Sequence, residues 1–226
     1  MNTDKIHAPL EKRRILVVDD HPIMRTGLVQ LIHQQSDLEV CGEAGLPDEA
    51  FRHLSKSKPD LLLTDLTMPG RSGLEFIHDL LALHPSLLIL VVSIHDEKIY
   101  AERALRAGVR GYVMKESGGK DLLAAIRLVL SGQVYISPKL TAEFLGGLSC
   151  TSNHCNTSLI RKLSDREFEI LRIMGQGKTT GEIALQLHIS SKTVDAHRAS
   201  IKQKLDLKSA TALVSYAVRW VETEKA

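Results

Sequence analysis

The 226-residue chain lacks the sequence features of membrane proteins and of disulfide-stabilised secreted proteins. No apolar run approaches the roughly 20 residues that a helix needs to cross a bilayer. The N-terminal stretch MNTDKIHAPLEKRR contains no apolar core of the kind that signal peptides have. Three cysteines are too few for a disulfide framework. We therefore expect a protein of the reducing cytoplasm that has no membrane partner.

Two further kinds of site are missing or incomplete in the sequence. No Walker sequence or glycine-rich dinucleotide loop is present, so control by a bound nucleotide is not expected. Cys150, His154 and Cys155 offer three metal ligands, but their spacing matches no familiar zinc site and a fourth ligand is missing. We expect no structural zinc in this segment.

The charged residues are unevenly distributed along the chain, although the net charge is only +2. Residues 1–155 hold 17 Lys and Arg against 19 Asp and Glu, whereas residues 156–226 hold 12 against 8. A basic segment favours a nucleic-acid partner, because Lys and Arg neutralise phosphates. The second part of the chain is therefore the first candidate for binding nucleic acid.

Short apolar runs alternate with segments of helical spacing over the first 130 residues. Five runs predict strands, at residues 14–18, 38–43, 60–64, 87–92 and 110–114. A strand that is buried on both faces has a continuous apolar sequence, as in RILVV and LLILVV. The alternation predicts an α/β domain with a doubly wound, five-stranded parallel sheet. The flavodoxin-like strand order 2-1-3-4-5 would make strands one and three neighbours.

From residue 160 the sequence pattern is entirely helical. Ser164 and Glu167 have the spacing of a capping box, which predicts a helix from Asp165. Three more helices are predicted at about residues 180–187, 191–205 and 209–220. These short helices predict a small all-α domain, joined to the first domain by a segment rich in Gly, Ser and Asn.

Three carboxylates follow predicted strands one and three. Asp19 and Asp20 come after RILVV, and Asp65 comes after LLLT. Since the C-terminal ends of parallel strands line one crevice, these carboxylates converge if the two strands are neighbours. Carboxylates this close repel one another unless a hard cation lies among them, and oxygen ligands suit Mg²⁺. A carboxylate beside Mg²⁺ can attack phosphorus and form an aspartyl phosphate.

Two more residues fit the same chemistry. Ser93 ends the fourth predicted strand and is placed to donate a hydrogen bond to a phosphoryl oxygen. Lys115 follows the fifth strand and offers a cation to the same group. Each of these residues alone is more simply explained as a helix cap or a surface charge. Their joint placement at strand ends predicts a phosphoryl-transfer site with Asp65 as the nucleophile.

The first domain contains the motifs of a known family. VVDDH (17–21), TDLTMPGRSG (64–73), VVS (91–93) and GYVMK (111–115) together resemble the receiver domain of two-component response regulators. Two positions depart from the family pattern. Glu116 follows Lys115 where many receivers have a proline after a cis bond, so we expect a trans bond here. Ile94 is bulkier than the Ala or Gly of many receivers, and it would shield an aspartyl phosphate from water.

The resemblance implies roles for individual residues. A sensor histidine kinase would phosphorylate Asp65, and Lys115 would pair with the phosphoryl group. The implied Mg²⁺ ligands are the side chains of Asp19, Asp20 and Asp65 and the main-chain carbonyl of Thr67. Ser93 and Tyr112 would form a switch pair, in which Ser93 moves towards the phosphoryl group and Tyr112 fills the space that Ser93 leaves.

The second domain also resembles a known family. Residues 163–205, LSDREFEILRIMGQGKTTGEIALQLHISSKTVDAHRASIKQKL, resemble the LuxR-type helix-turn-helix. Its pairing with a receiver resembles the NarL/FixJ-like subfamily of bacterial transcription regulators. In such a motif the second helix enters the major groove of DNA. One departure is Thr180-Gly181, where related proteins often carry Asn followed by Lys or Arg, so one phosphate contact is expected to be lost.

The helix predicted to enter the groove has an apolar and a polar face. Val194, Ile201 and Leu205 repeat at apolar spacing and should face the core of the domain. The residues predicted to face DNA are Lys192, Thr193, Asp195, Ala196, Arg198, Ala199 and Lys202. The three cations are the expected phosphate contacts, with recognition of a guanine edge as the alternative for Arg198. Asp195 is expected either to accept from a cytosine amino group or to keep the helix away from phosphates.

We therefore predict a receiver domain at residues 12–133, a linker with room for a short helix at 134–159, and a LuxR-type DNA-binding domain at 160–226. The expected function is a response regulator that is phosphorylated on Asp65 and binds DNA as a homodimer, not an enzyme. Two alternatives stay open: a DNA-binding regulator that works independently of phosphorylation, and an aspartate-nucleophile phosphatase. Such phosphatases have a second acid two residues after the nucleophile, where this chain has Thr67.

Overall fold

Five parallel strands form the centre of the N-terminal domain in a computed structural model, which describes residues 12–68, 71–147, 160 and 162–224. The strands of the sheet are β1 (Arg13–Val18), β2 (Leu38–Ala44), β3 (Leu61–Thr64), β6 (Leu88–Ser93) and β7 (Gly111–Met114). Two short strands, β4 (Thr67–Met68) and β5 (Arg71–Ser72), form an antiparallel ribbon after β3. The order across the sheet is β2-β1-β3-β6-β7, which confirms the predicted order 2-1-3-4-5 and places β1 beside β3.

Five helices cover the two faces of this sheet. They are α1 (Pro22–His33), α2 (Pro47–Ser57), α3 (Gly73–Leu83), α4 (Glu97–Ala107) and α5 (Gly119–Leu130). Successive residues of a strand point to opposite faces. Ile15 and Val17 of β1 therefore pack with α1 and α5, whereas Leu16 and Val18 pack with α2, α3 and α4. Because both faces are covered, the strands are apolar along most of their length.

The observed elements differ from the predicted ones mainly at their ends. Each strand of the sheet begins and ends within one residue of its prediction. The helical spacing of the sequence begins at Ile23 and Glu49, whereas α1 and α2 begin earlier, at Pro22 and Pro47, because proline is favourable at the first position of a helix. The ribbon of β4 and β5 was not predicted, since two-residue strands carry no periodic pattern. The peptide bond after Lys115 is trans, as expected.

The C-terminal domain consists of four helices in the part of the chain that the structure describes, as predicted. They are α7 (Asp165–Gly175), α8 (Thr180–Gln186), α9 (Ser191–Lys204) and α10 (Ala210–Glu224), and α6 (Pro138–Gly147) precedes them. Ser164 and Glu167 form the predicted capping box at the start of α7. Val194, Ile201 and Leu205 are buried, so the predicted apolar face of α9 is confirmed.

The segment between the domains is described only in part. The main chain of Tyr135 bonds to Arg110 and Tyr112, so the first residues of the predicted linker lie against β7. Cys150, His154 and Cys155 lie outside the described residues, as does the later half of the predicted linker. Every helix within the described ranges is too short or too polar to span a bilayer.

The two domains contact each other through α4 and α7. Arg103 of α4 donates to the main-chain carbonyls of Ile160 and Leu163, at 2.7 and 3.0 Å. It also donates to Oδ1 of Asp165 at 3.0 Å. The guanidinium lies over the ring of Phe168, 4.3 Å from the centroid. One arginine of the first domain thus binds both the main chain and an aromatic ring of the second.

Candidate metal centre and nucleic-acid interface

The sheet brings Asp19 and Asp65 together at its C-terminal edge. Val18 pairs with Thr64 across β1 and β3, and the amide of Asp65 donates to the carbonyl of Val18 at 3.1 Å. One ligand atom from each member of the cluster lies within 4.8 Å of the others, and the members are Asp19, Asp20, His21 and Asp65. The convergence of the three carboxylates is therefore present in the structure.

His21 joins this cluster, and nothing in the sequence beyond the motif VVDDH indicates its position. Its Nδ1 lies 2.8 Å from Oδ1 of Asp20 and 3.3 Å from Oδ1 of Asp19. Its main-chain N–H donates to Oδ1 of Asp19 at 2.8 Å. The ring of His21 is largely exposed, so it contacts the carboxylates of Asp19 and Asp20 from the solvent side.

Lys115 lies between two of the carboxylates, and its side chain is only 5% exposed. Its Nζ donates to Oδ2 of Asp65 at 2.8 Å and lies 2.7 Å from Oδ2 of Asp19. Burial lowers the pKa of Lys115, but the hydrogen bonds and charges of the two aspartates outweigh burial and hold this pKa above its ordinary value. Burial raises the pKa of Asp65, and the ammonium opposes that effect. We expect the ionised pair, because two carboxylates share one close ammonium.

Two buried carboxylate oxygens in this cluster make no hydrogen bond of good geometry. They are Oδ2 of Asp19, which lies 2.7 Å from Nζ of Lys115, and Oδ1 of Asp20, which lies 2.8 Å from Nδ1 of His21. An unsatisfied buried oxygen is costly, and a divalent cation would satisfy both. The residues present therefore fit Mg²⁺, which prefers oxygen ligands.

Ser93 and Tyr112 are both completely buried. Oγ of Ser93 accepts from the main-chain N–H of His95 at 3.3 Å, and the hydroxyl of Tyr112 donates to the main-chain carbonyl of His95 at 2.7 Å. The side chain of Tyr112 lies inward in this structure, where the carbonyl of His95 offers its hydroxyl a buried acceptor. Burial raises the pKa of Tyr112 well above its ordinary value, so the hydroxyl stays protonated.

His95 joins this site to the second domain. Its Nε2 lies 2.7 Å from Oγ1 of Thr67, the first residue of β4, and 3.0 Å from a guanidinium nitrogen of Arg172 in α7. Burial and the positive charges of Arg172 and Lys115 lower the pKa of His95 to about 4. The imidazole is therefore neutral at ordinary pH, and its Nε2 accepts hydrogen bonds.

A chain of aromatic rings continues from His95 through the contact between the domains. The ring centroids are 4.6 Å apart for His95 and Tyr100, and 5.1 Å apart for Tyr100 and Phe168. Phe168 and Trp220, the single tryptophan of the chain, are 5.3 Å apart. The rings lead from the loop after β6 to α4, α7 and α10 in turn.

The predicted DNA-facing residues of α9 form one surface. Its exposed members are Lys192, Thr193, Asp195, Ala196 and Ala199, and its half-buried members are Arg198 and Lys202. The contacts between the domains involve α7 and the residues just before it. The surface of α9 therefore stays accessible while the two domains are in contact.

The side chain of Arg198 lies on this surface, but two contacts within the domain restrict its movement. Its guanidinium donates to Oγ1 of Thr180 at the start of α8 and lies 3.9 Å from the carboxylate of Asp195. The side chain is therefore fixed between the two helices of the helix-turn-helix. The hydroxyl of Thr193 lies 2.8 Å from that of Ser190 and belongs to the N-terminal cap of α9.

Glu167 ties α7 to α9. Its carboxylate accepts from Lys204 and from Ser200 of α9, both at 2.6 Å, and from the main chain of Ser164 at 2.7 Å. Burial raises the pKa of Glu167, but these hydrogen bonds outweigh burial and lower it to about 2. The capping residue of α7 therefore also positions the helix that carries the basic surface.

Both domains match families of known proteins. Residues 15–127 match the response regulator receiver domain, and residues 161–217 match the luxR family of bacterial regulatory proteins. The chain is 38% identical over 211 residues to the oxygen regulatory protein NreC of Staphylococcus carnosus strain TM300. That match covers 91% of this chain and 97% of NreC.

Solved structures resemble the chain over both domains. One is RcsB from Salmonella enterica serovar Typhimurium, bound to promoter P1flhDC in the presence of the phosphomimetic BeF3-. It has a TM-score of 0.68 and 26% identity, over 92% of this chain and 98% of RcsB. Another contains two RcsB dimers bound to two parallel DNAs, with a TM-score of 0.57 and 27% identity over 91% and 98% of the two chains.

Proposed function

Because this chain belongs to the two-component response regulators that join a receiver domain to a LuxR-type helix-turn-helix, we propose that a sensor histidine kinase phosphorylates it on Asp65 and that it then binds DNA as a homodimer. One observation carries the proposal. A cluster of Asp19, Asp20, Asp65 and Lys115, buried except for Asp20, lies in the same chain as an accessible basic helix surface. The first can accept a phosphoryl group, and the second can bind phosphates of DNA.

The cluster supplies the groups that phosphoryl transfer needs. A carboxylate oxygen of Asp65 forms a bond to phosphorus, the bond between phosphorus and the donor breaks, and the donor leaves with that electron pair. Lys115 moves its hydrogen bond from Asp65 to the new phosphoryl oxygens, and Ser93 donates to another of them. Bound Mg²⁺ would supply further positive charge, held by oxygens of Asp19, Asp20, Asp65 and Thr67.

Asp65→Asn tests the proposal directly. The full chain would be incubated with acetyl phosphate and Mg²⁺, and aspartyl phosphate would be followed on a phosphate-affinity gel. We expect labelling of the wild type and none of Asp65→Asn, because an amide is not a nucleophile towards phosphorus. Asp48→Asn, at an exposed position of α2, is the matched control and should label like the wild type. Equal labelling of Asp65→Asn and wild type would refute the assignment.

The proposed DNA contact is made by α9 in the major groove. The cations proposed to bind phosphates are Lys192, Arg198 and Lys202. Ala196 and Ala199 present no hydrogen-bonding groups to bases, so a single domain should bind weakly. Two copies on two half-sites would supply the missing affinity. Val214, an exposed apolar residue of α10, is available for the contact between them.

We propose residues 12–133 as the receiver, 134–159 as the linker and 160–226 as the DNA-binding domain, in a protein that acts in the cytoplasm. The aspartyl phosphate is proposed to be a signal and not an intermediate of turnover. This proposal is supported by Thr67, which stands two residues after Asp65, where an aspartate-nucleophile phosphatase would need an acid.

A further inference from the structure

The peptide group between Asp19 and Asp20 lies beyond the end of β1, and a side chain of α1 holds it in place. The strand ends at Val18, and the N–H of Asp19 still donates to the carbonyl of Ala44 in β2, at 3.1 Å. The carbonyl of Asp19 accepts from Nη1 of Arg25 at 2.5 Å. A guanidinium therefore takes over at the point where the pairing of the sheet ends.

The guanidinium of Arg25 is itself confined between α1 and β2. Its Nε lies 3.6 Å from Oε2 of Glu43 in β2, and the side chain is only 22% exposed. Gly45, which follows β2, leaves room for it, because a Cβ atom at Gly45 would lie 3.3 Å from Nη1. The main-chain N–H of Arg25 donates to the carbonyl of His21 at 3.0 Å. One residue of α1 therefore binds the loop of residues 19–21 through both its main chain and its side chain.

The two aspartates of this loop differ in how their carboxylates are held. The carboxylate of Asp19 lies 2.7 Å from Nζ of Lys115 and accepts from the main-chain N–H of His21 at 2.8 Å. The side chain of Asp20 is 25% exposed, and its Oδ1 contacts the exposed ring of His21. Because a peptide group is planar, a fixed carbonyl at Asp19 also fixes the direction in which the chain enters Asp20. The hydrogen bond from Arg25 should therefore matter most for the carboxylate of Asp20.

We propose that Arg25 is a positioning residue for the Mg²⁺ site and that it acts through the peptide group between Asp19 and Asp20. By holding the carbonyl of Asp19, it keeps the carboxylate of Asp20 directed towards those of Asp19 and Asp65. Residues that orient metal ligands in this way raise the affinity for the metal, because the ligands need less rearrangement on binding. This inference rests on the Mg²⁺ site of the function proposed above.

The charge of Arg25 has an effect of the opposite sign on the same site. A positive charge close to a cation site repels the cation, so loss of this charge alone would strengthen Mg²⁺ binding. Loss of the hydrogen bond to Asp19 would weaken Mg²⁺ binding, because the carboxylate of Asp20 would no longer be held in place. The sign of the change in affinity therefore decides between positioning by Arg25 and simple repulsion.

The test measures the affinity of the full chain for Mg²⁺ by isothermal titration calorimetry. Arg25→Met keeps the apolar stem and loses the donors, and it should bind Mg²⁺ on the order of tenfold more weakly than the wild type. Arg25→Lys keeps the charge without the planar fork and should bind about threefold more weakly. Arg110→Met is the matched control, because Arg110 is exposed and precedes β7 at the opposite edge of the sheet, and its affinity should equal that of the wild type.

A double variant tests whether Arg25 acts through Asp20. In the Asp20→Ala background, Arg25→Met should change the affinity for Mg²⁺ by less than about twofold, because the carboxylate that Arg25 positions is already absent. A general loosening of the domain would instead lower the affinity in both backgrounds. Urea unfolding in the absence of Mg²⁺ shows that each variant is folded. If Arg25→Met does not fold, Arg25→Lys decides: a loss of affinity supports the inference, and the affinity of the wild type overturns it.

The outcomes separate this inference from the function on which it rests. Equal or tighter Mg²⁺ binding by a folded Arg25→Met overturns the inference and leaves the Mg²⁺ site intact. A loss of affinity of the same size in the presence and absence of the Asp20 carboxylate overturns the route through the peptide group. A wild-type chain that binds no Mg²⁺ overturns the proposed metal site and the inference together.

Discussion

The acidic cluster and the basic helix surface are built in opposite ways. The cluster takes its residues from the ends of separate strands, so that Asp19 and Lys115 meet at 2.7 Å, and the side chains of Asp19, Asp65 and Lys115 are buried. The basic surface takes its residues from α9, a helix of 14 residues, and exposes most of them. Loss of one charge in the cluster leaves another unpaired and buried, whereas loss of one charge on α9 leaves its neighbours in water. Substitutions of the buried residues in the first region should change stability and chemistry together, and those in the second should change binding alone.

The largest effect is expected from Lys115→Met. Without the ammonium, the buried carboxylates of Asp19 and Asp65 face each other unpaired, and the free energy of unfolding should fall by about 3 kcal/mol in the absence of Mg²⁺. Saturating Mg²⁺ should restore part of this loss, because only the folded receiver presents the site. Urea unfolding followed by circular dichroism measures both values.

The control for this prediction is Lys120→Met, at an exposed position of α5, which should unfold like the wild type. A loss of stability in Lys115→Met that Mg²⁺ does not reduce would contradict the placement of the cation among these carboxylates.

A smaller effect is expected at Glu167 of the DNA-binding domain. Like the carboxylates of the acidic cluster, this carboxylate is buried and paired with a cation. The pKa of Glu167 is lowered from 4.5 to about 2, so its contribution is fully present above pH 4.5 and is lost as the pH falls through 2. The shift corresponds to about 3 kcal/mol at most. In Glu167→Gln, the free energy of unfolding should therefore fall less between pH 4.5 and pH 2 than it does in the wild type. Urea unfolding at a series of pH values measures this fall.

Glu222→Gln, at an exposed position of α10, is the matched control and should keep the acid dependence of the wild type. If the two variants lose stability with acid in the same way, the contacts with Lys204 and Ser200 do not hold Glu167 ionised.

The next effect is expected on the affinity for Mg²⁺ and not on the stability of the fold. Asp20→Ala removes one carboxylate at the open edge of the cluster and should weaken Mg²⁺ binding by on the order of tenfold, with little change in unfolding. Isothermal titration calorimetry with Mg²⁺ measures the affinity. Asp48→Ala is the control on α2. Unchanged affinity in Asp20→Ala would exclude this residue as a ligand.

The smallest effect is expected on the exposed surface. Lys202→Ala should lower the affinity for all DNA sequences alike and reduce the slope of log affinity against log salt by about one unit. Fluorescence anisotropy with labelled duplexes at several salt concentrations measures this slope. Lys56→Ala removes the same charge from α2 of the receiver and should leave the slope unchanged. A loss confined to one sequence would mean that Lys202 recognises bases.

The acidic cluster could be predicted because its residues follow patterns that a sequence displays. A strand buried on both faces is a continuous apolar run, and the first polar residue after it stands at the edge of the sheet. Asp19 and Asp65 are such residues, and Ser93 and Lys115 follow from the same argument. The apolar face of α9 was equally visible, because Val194, Ile201 and Leu205 recur at helical spacing.

The contacts of His95 could not be predicted in this way. Its ring meets Thr67 at a separation of 28 residues and Arg172 at a separation of 77, and no periodic pattern records such pairs. The link between Arg198 and Thr180 is hidden for the same reason, since each residue belongs to a different helix. Patterns within one element locate the elements and their faces, whereas pairs of single side chains across elements require the folded structure.

Under the proposed function, the accessible surface of α9 would expose its positive charge to DNA before phosphorylation as well as after it. Attraction to phosphates lets such proteins slide and hop along a duplex without regard to sequence. The unphosphorylated molecules would then already lie on DNA, and their search for an operator would run along the duplex instead of through solution. The speed of the response would then depend on how soon two sliding molecules meet at an operator, and not on how long one free molecule takes to find DNA.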